Sequence, residues 1–172
     1  MSVRPFRSIQ HLTAMLALVV LSLAGVASAA CVGDSPEAVL GCYAEAHELR
    51  DIGVLEELLA SDYAWVAVTP HRAELIDRET TLEASRGMFA DARAESVSLT
   101  FADGYDVVDG QYPDTWRIEG VLATLSVKME SMKEPHAVTA SVTYYVRKAP
   151  AVKSGYEIYR EVTFEGVTST NE

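Results

Sequence analysis

Cysteine is nearly absent from this 172-residue chain: Cys31 and Cys42 are the only two. Two thiols cannot build a four-cysteine zinc site. No G-x-S-x-G, Walker A, Rossmann glycine pattern or H-E-x-x-H occurs, so the motif-borne hydrolase, nucleotide and metalloprotease chemistries lack their residues. Basic residues are also few, 14 against 25 acids, for a net charge of −11. Such a chain repels nucleic acid and anionic lipid over long range, and no nucleic-acid partner is expected. Nothing points to a cofactor or a metal: a His47–Asp51 pair has no third ligand in view. The sole long apolar run, Leu12–Val26, has 15 residues, short of the about 20 a spanning helix needs.

That run has a basic start (Arg4, Arg7) and is followed by Ala27-Ser28-Ala29-Ala30 and then Cys31. The order reads as a secretory signal peptide over residues 1–30. Both Ala27-Ser28-Ala29 and Ser28-Ala29-Ala30 fit the A-x-A cleavage rule. Small residues directly before a cysteine also resemble a bacterial lipobox, although Ser28 stands where leucine is usual. The expected address is therefore export, as a periplasmic or secreted protein or as an outer-membrane lipoprotein. Any membrane contact would come through a lipid on Cys31. Lipidation there excludes a Cys31–Cys42 disulfide; without it, export permits one. Cleavage after residue 30 removes two arginines and no acid, leaving 12 basic residues against 25 and a net charge of −13. The expected layout is a domain over 31–168 and a flexible tail at 169–172. A chain of that size buries enough surface for a true core.

Ser35-Pro36-Glu37 predicts a helix start with a serine cap and proline at the first helical position. Val39, Tyr43 and Ala46 continue at helical spacing, and Arg50-Asp51 ends the helix. Asp51 caps a short second helix carrying Leu55, Leu58 and Leu59. Tyr63–Val68 has strand composition, and Thr69–Ile76 reads as a loop. Asp77 caps a third helix with Leu82, Ser85, Phe89 and Ala92 on one face. Strands follow: one over Val97–Val107, a long one over Trp116–Met129 whose parity shifts at Gly120 and so predicts a β-bulge, one over His136–Lys148, and one from Tyr156 to Phe164. Helices first and alternating strands after them predict an α+β fold with a mostly antiparallel sheet, wet on one face.

The stretch CYAEAHELRDIGVLEELLASDYAWV (42–66) resembles the opening of NTF2-like, SnoaL-like proteins, through Tyr43, Ala46, Asp51, Leu55, Leu58, Leu59, Asp62 and Tyr63. The resemblance runs over about 35–165. It implies a cone: helices packed in the concave face of a curved sheet, often with a pocket at the open end and a homodimer through the sheet. Against ketosteroid isomerase, Tyr43 falls on the oxyanion-hole tyrosine. The general-base position falls on Ala67, which cannot take a proton.

His47 lies one turn from Tyr43 and from Asp51, so it reads either as a general base or as a helix-face histidine bonded to a local carbonyl. Arg160 stands between Ile158 and Val162, and Asp103 between Phe101 and Tyr105. As lone charges on core faces they are expected either to pair inside the cone or to be turned outward by a bulge. Trp65, Tyr105, Trp116 and Tyr144, with Met88, read as pocket aromatics or as plain core. These residues support binding of a small, partly apolar molecule in the cone without catalysis. The alternatives are an isomerase- or dehydratase-type enzyme using Tyr43 and His47, and a homodimeric assembly module.

Overall fold

The structure, a computed structural model, describes residues 35–152 and 154–164. The expected signal peptide, Cys31 and the tail at 169–172 lie outside the described residues. Among the described residues, three helices and seven strands follow in chain order: α1 Ala38–Glu48, α2 Ile52–Leu58, β1 Leu59–Val68, β2 Ala73–Asp77, α3 Arg78–Ala90, β3 Ala94–Phe101, β4 Asp106–Asp109, β5 Thr115–Met129, β6 His136–Lys148 and β7 Tyr156–Phe164.

Local chemistry explains most of the boundaries. The Asp51 carboxylate accepts from the Val54 amide and opens α2; Asp77 does the same for α3 through Thr80. Helix α1 starts later than expected. Ser35 to Glu37 form a turn whose carbonyls accept from Ala38, Val39 and Leu40, and no side chain caps the helix. Its other end closes with the paired bonds of a Schellman turn, Asp51 N–H to Ala46 and Arg50 N–H to His47. This places Arg50 at φ 54°, a left-handed position usually given to glycine. Arg50 then donates to the Ala94 carbonyl at 2.6 Å and ties the turn to the start of β3.

The sheet order is β2-β1-β7-β6-β5-β3, with β4 pairing the near half of β5. All pairs are antiparallel except β1 with β7. The expected loop at 69–76 contains β2, which folds back on β1. The expected single strand at 97–107 breaks at Ala102–Tyr105 around Gly104, φ 100°, into β3 and β4. The register of β5 on β6 slips between Ile118 and Val121, with Gly120 at φ 75°, as the change of parity predicted.

A second bulge carries the larger consequence. Tyr145 faces Arg160 and Val146 faces Ile158, so Tyr159 is an extra residue in β7. Ile158 points into the core, whereas Tyr159 and Arg160 both point away from it. From Glu161 onward the parity is the reverse of that expected from Ile158. Such bulges bend the sheet around α1, α2 and α3. The core between them holds Leu55, Leu58, Leu82, Ile118, Val121, Tyr144, Val146 and Ile158, each below 2% exposed. Burying one such side chain contributes about 1.5–3 kcal/mol.

Candidate functional site

Glu161 lies opposite Tyr144 on β6 and Trp65 on β1, and residues directly paired across strands share a face. Tyr144 is buried in the core, so the Glu161 carboxyl faces inward as well. The Tyr63 hydroxyl donates to Oε2 at 3.1 Å, and the Thr163 hydroxyl donates to Oε1 at 3.2 Å. Thr163 itself accepts from the Trp65 indole N–H at 2.9 Å, which fixes the direction of its own proton. One carboxylate thus has a donor on each oxygen, one from β1 and one from its own strand, two residues on.

Burial dominates the electrostatics here. It pushes the Glu161 pKa from 4.5 up to about 7, against the smaller opposite pull of the Tyr63 and Thr163 hydrogen bonds. The phenols of Tyr43, Tyr63 and Tyr144 are raised well above their usual value, first by burial and then by the nearby Glu161 charge. These three tyrosines surround the acid as neutral groups. Glu161 remains partly solvent-accessible. Trp65, Phe89, Leu99, Phe101 and Tyr105 pack against the core and are also only partly buried. The walls on that side of the core are therefore apolar and largely aromatic.

The residues singled out from sequence separate into groups. Tyr43, His47 and Tyr144 come together, with ring centroids of Tyr43 at 4.8 Å from His47 and 6.1 Å from Tyr144, both edge-to-face. His47 is 6% exposed, donates from Nδ1 to the Tyr43 carbonyl at 2.8 Å and meets Phe89 edge-on. Burial lowers its pKa from 6.5, only partly offset by the Tyr43 carbonyl. It takes the packed, carbonyl-bonded form of the two expected. Trp65 joins the Glu161 group through Thr163. Tyr105 packs against the core, and Trp116 stacks edge-on with Tyr156 at 5.5 Å, also on the core side. Cys42 is buried on α1.

Of the two arrangements expected for Asp103 and Arg160, the pair inside the cone does not form, and both residues are turned outward. Asp103 is exposed in the turn beside Gly104. Arg160 is exposed on the outer face, over the Tyr145 ring at 5.9 Å, because the Tyr159 bulge turns it there. The same residue of slip brings Glu161 inside, where the sequence reading had placed Arg160. Arg160 itself, a charge on a face that otherwise reads as core, is the sequence signal of that bulge. Among the described residues no three His, Cys, Asp or Glu side chains group as metal ligands do.

No family model matches the chain, and no curated protein matches it. Solved structures do. An NTF2-like protein of unknown function in nutrient uptake from Rhodospirillum rubrum superposes with a TM-score of 0.57 at 20% identity, over 76% of this chain and 98% of that one. A proposed scytalone dehydratase from Novosphingobium aromaticivorans gives 0.60 at 11% identity, over 79% and 85%. An NTF2-like superfamily protein from Salmonella enterica gives 0.55 at 13%, over 77% and 89%. The fold is thus that of the NTF2-like α+β proteins. At these identities the likeness concerns the fold, and the site must be read from this chain's own residues.

Proposed function

We propose that the cone binds a small, partly apolar molecule and holds one hydrogen-bonding group of it on Glu161. The observation that carries this reading is a single inward acid, oriented by Tyr63 and Thr163, among apolar and aromatic side chains that are only partly buried. Small-molecule sites have that composition: mostly apolar walls with a few placed polar groups. Burial keeps the acid protonated over part of the physiological range, so it can donate or accept. The signal-peptide pattern supports work outside the cytoplasm. Pairing of two copies through the outer sheet face, where Leu122 and Phe164 are 49% and 46% exposed in one row with Ser141, belongs to the same proposal. Light scattering tests it.

The test of the cone uses N-phenyl-1-naphthylamine, a neutral apolar dye with one N–H donor. Titrated against the full chain at pH 8, it should brighten and saturate, and E161Q should weaken it at least tenfold. A dye that does not saturate, or binds E161Q equally, overturns the reading.

A second reading is favoured by the pKa of about 7, which suits a general acid–base at neutral pH. Glu161 would take a proton from a substrate carbon and return it elsewhere, as isomerases and dehydratases require. In that case E161Q keeps the dye and abolishes turnover. This role falls on Glu161; His47, bonded to the Tyr43 carbonyl and packed on Phe89, is held as core.

A further inference from the structure

The bulge at Tyr159 shapes the outer face of the sheet as well as the interior. Arg117 on β5 pairs with Tyr145 on β6, and Tyr145 pairs with Arg160 on β7. The three therefore form one row across three neighbouring strands, on the face away from the helices. Strand spacing puts the two arginine backbones about 10 Å apart, with the tyrosine between them. Tyr159, the extra residue, adds a ring 6.0 Å from that of Tyr145. Asp109, Gly110, Gln111 and Tyr112, around the β4–β5 turn, close the other side, and the whole lines an open hollow of about 560 Å³.

The charges in this hollow run against those of the protein. Two guanidiniums, those of Arg117 and Arg160, line it in a chain of net charge −11. Arg117 is engaged by Glu119 at 3.2 Å. Arg160 has no ion pair among the described residues; its described contact is the face of Tyr145. A planar guanidinium held on an aromatic face presents its N–H groups edge-on, as a carboxylate needs for a two-pronged bond. Tyr145, Tyr159 and Tyr112 offer ring surface beside it, and Tyr112 is 66% exposed.

We infer that this hollow is a second binding site, separate from the cone, for a small aromatic carboxylate. Its carboxylate bonds Arg160, and its ring packs on Tyr145 and Tyr159. The site lies about 13 Å along β6 from the Leu122–Ser141–Phe164 row, on the same face of the sheet.

Calorimetric titration of the full chain with benzoate tests this, with inorganic phosphate as the ringless anion. Benzoate should bind, R160Q should weaken it at least tenfold, and R160K should retain part of the affinity while losing the two-pronged bond. R117Q should weaken it less, since Glu119 already holds Arg117. Phosphate should bind at least tenfold more weakly than benzoate. An unaltered circular-dichroism melt of R160Q shows that its loss is local; if R160Q does not fold, Y159A reads the same site through the ring. Benzoate that does not bind the wild type, binds R160Q equally, or is matched by phosphate overturns the inference.

Discussion

The Tyr63 hydroxyl reaches Glu161 at 3.1 Å across 98 positions of sequence, from one strand of a parallel pair to the other. Trp65 reaches Thr163 across the same separation. The first holds the only inward acid described on β7 and the second orients Thr163 toward it, while burial dominates its titration.

Glu161 should make folding pH-dependent. Its folded pKa of about 7 lies above the ordinary 4.5, so the stability it contributes is complete below about 4.5 and is lost as pH rises through about 7. The loss is at most about 3.5 kcal/mol, since each unit is about 1.4 kcal/mol. Thermal melts of the wild type should therefore decline from pH 5 to pH 8. E161Q should be flatter across that window and more stable than wild type at pH 8. A wild-type profile parallel to that of E161Q would refute the assignment.

Tyr63→Phe removes a donor that favours the charged form of Glu161. The Glu161 pKa should rise further, and stability should fall by about 1.5–3 kcal/mol at pH 8 and by less at pH 5. Carbon-detected NMR titration of the Glu161 carboxyl reads the first effect and urea midpoints at the two pH values read the second. An unmoved titration would mean the bond does not form in solution.

His47 should act with the opposite sign. Burial holds its folded pKa below 6.5, so its contribution is present above 6.5 and is lost as pH falls through the lower folded value. Measured in an E161Q background, urea midpoints should drop on acidification below pH 6.5. H47L should remove that drop, at a cost of about 1 kcal/mol for the lost bond to the Tyr43 carbonyl. Persistence of the drop in H47L would assign it elsewhere.

Gly120 sits at φ 75° with open space where a Cβ would stand. Gly120→Ala should therefore cost about 1–2 kcal/mol through backbone strain alone, with no clash added. Guanidinium unfolding measures it. A neutral or stabilising outcome would mean that the bulge relaxes.

The two bulges show what was legible and what was not. At Gly120 a glycine interrupts an apolar alternation, so both the residue and the change of parity mark the spot. At Tyr159 neither does: Tyr156, Ile158, Arg160 and Val162 form an unbroken alternation of good strand residues, and the slip is imposed by Tyr145 and Val146 on the partner strand. Strand β6 could be bounded from its own pattern, and Asp51 and Asp77 marked their helices by cap chemistry. Strand β2 was missed because Glu74 and Leu75 face solvent and leave no apolar stripe. Reading β7 from Ile158 put Arg160 inside and left Glu161 out. The site therefore lay one residue from where sequence reasoning placed it.

The parallel pairing of β1 with β7 also bears on synthesis and folding. The described strand nearest the start of the chain waits for the one nearest its end, and closing so long a loop is slow. Until β7 emerges from the ribosome, β1 and β6 each present an unpaired edge at what will be the middle of the sheet. Those edges are open to pairing with other chains during that interval. The acid has its hydroxyl partners only once the last strand has been inserted, so truncation within β7 removes the site and exposes both edges together.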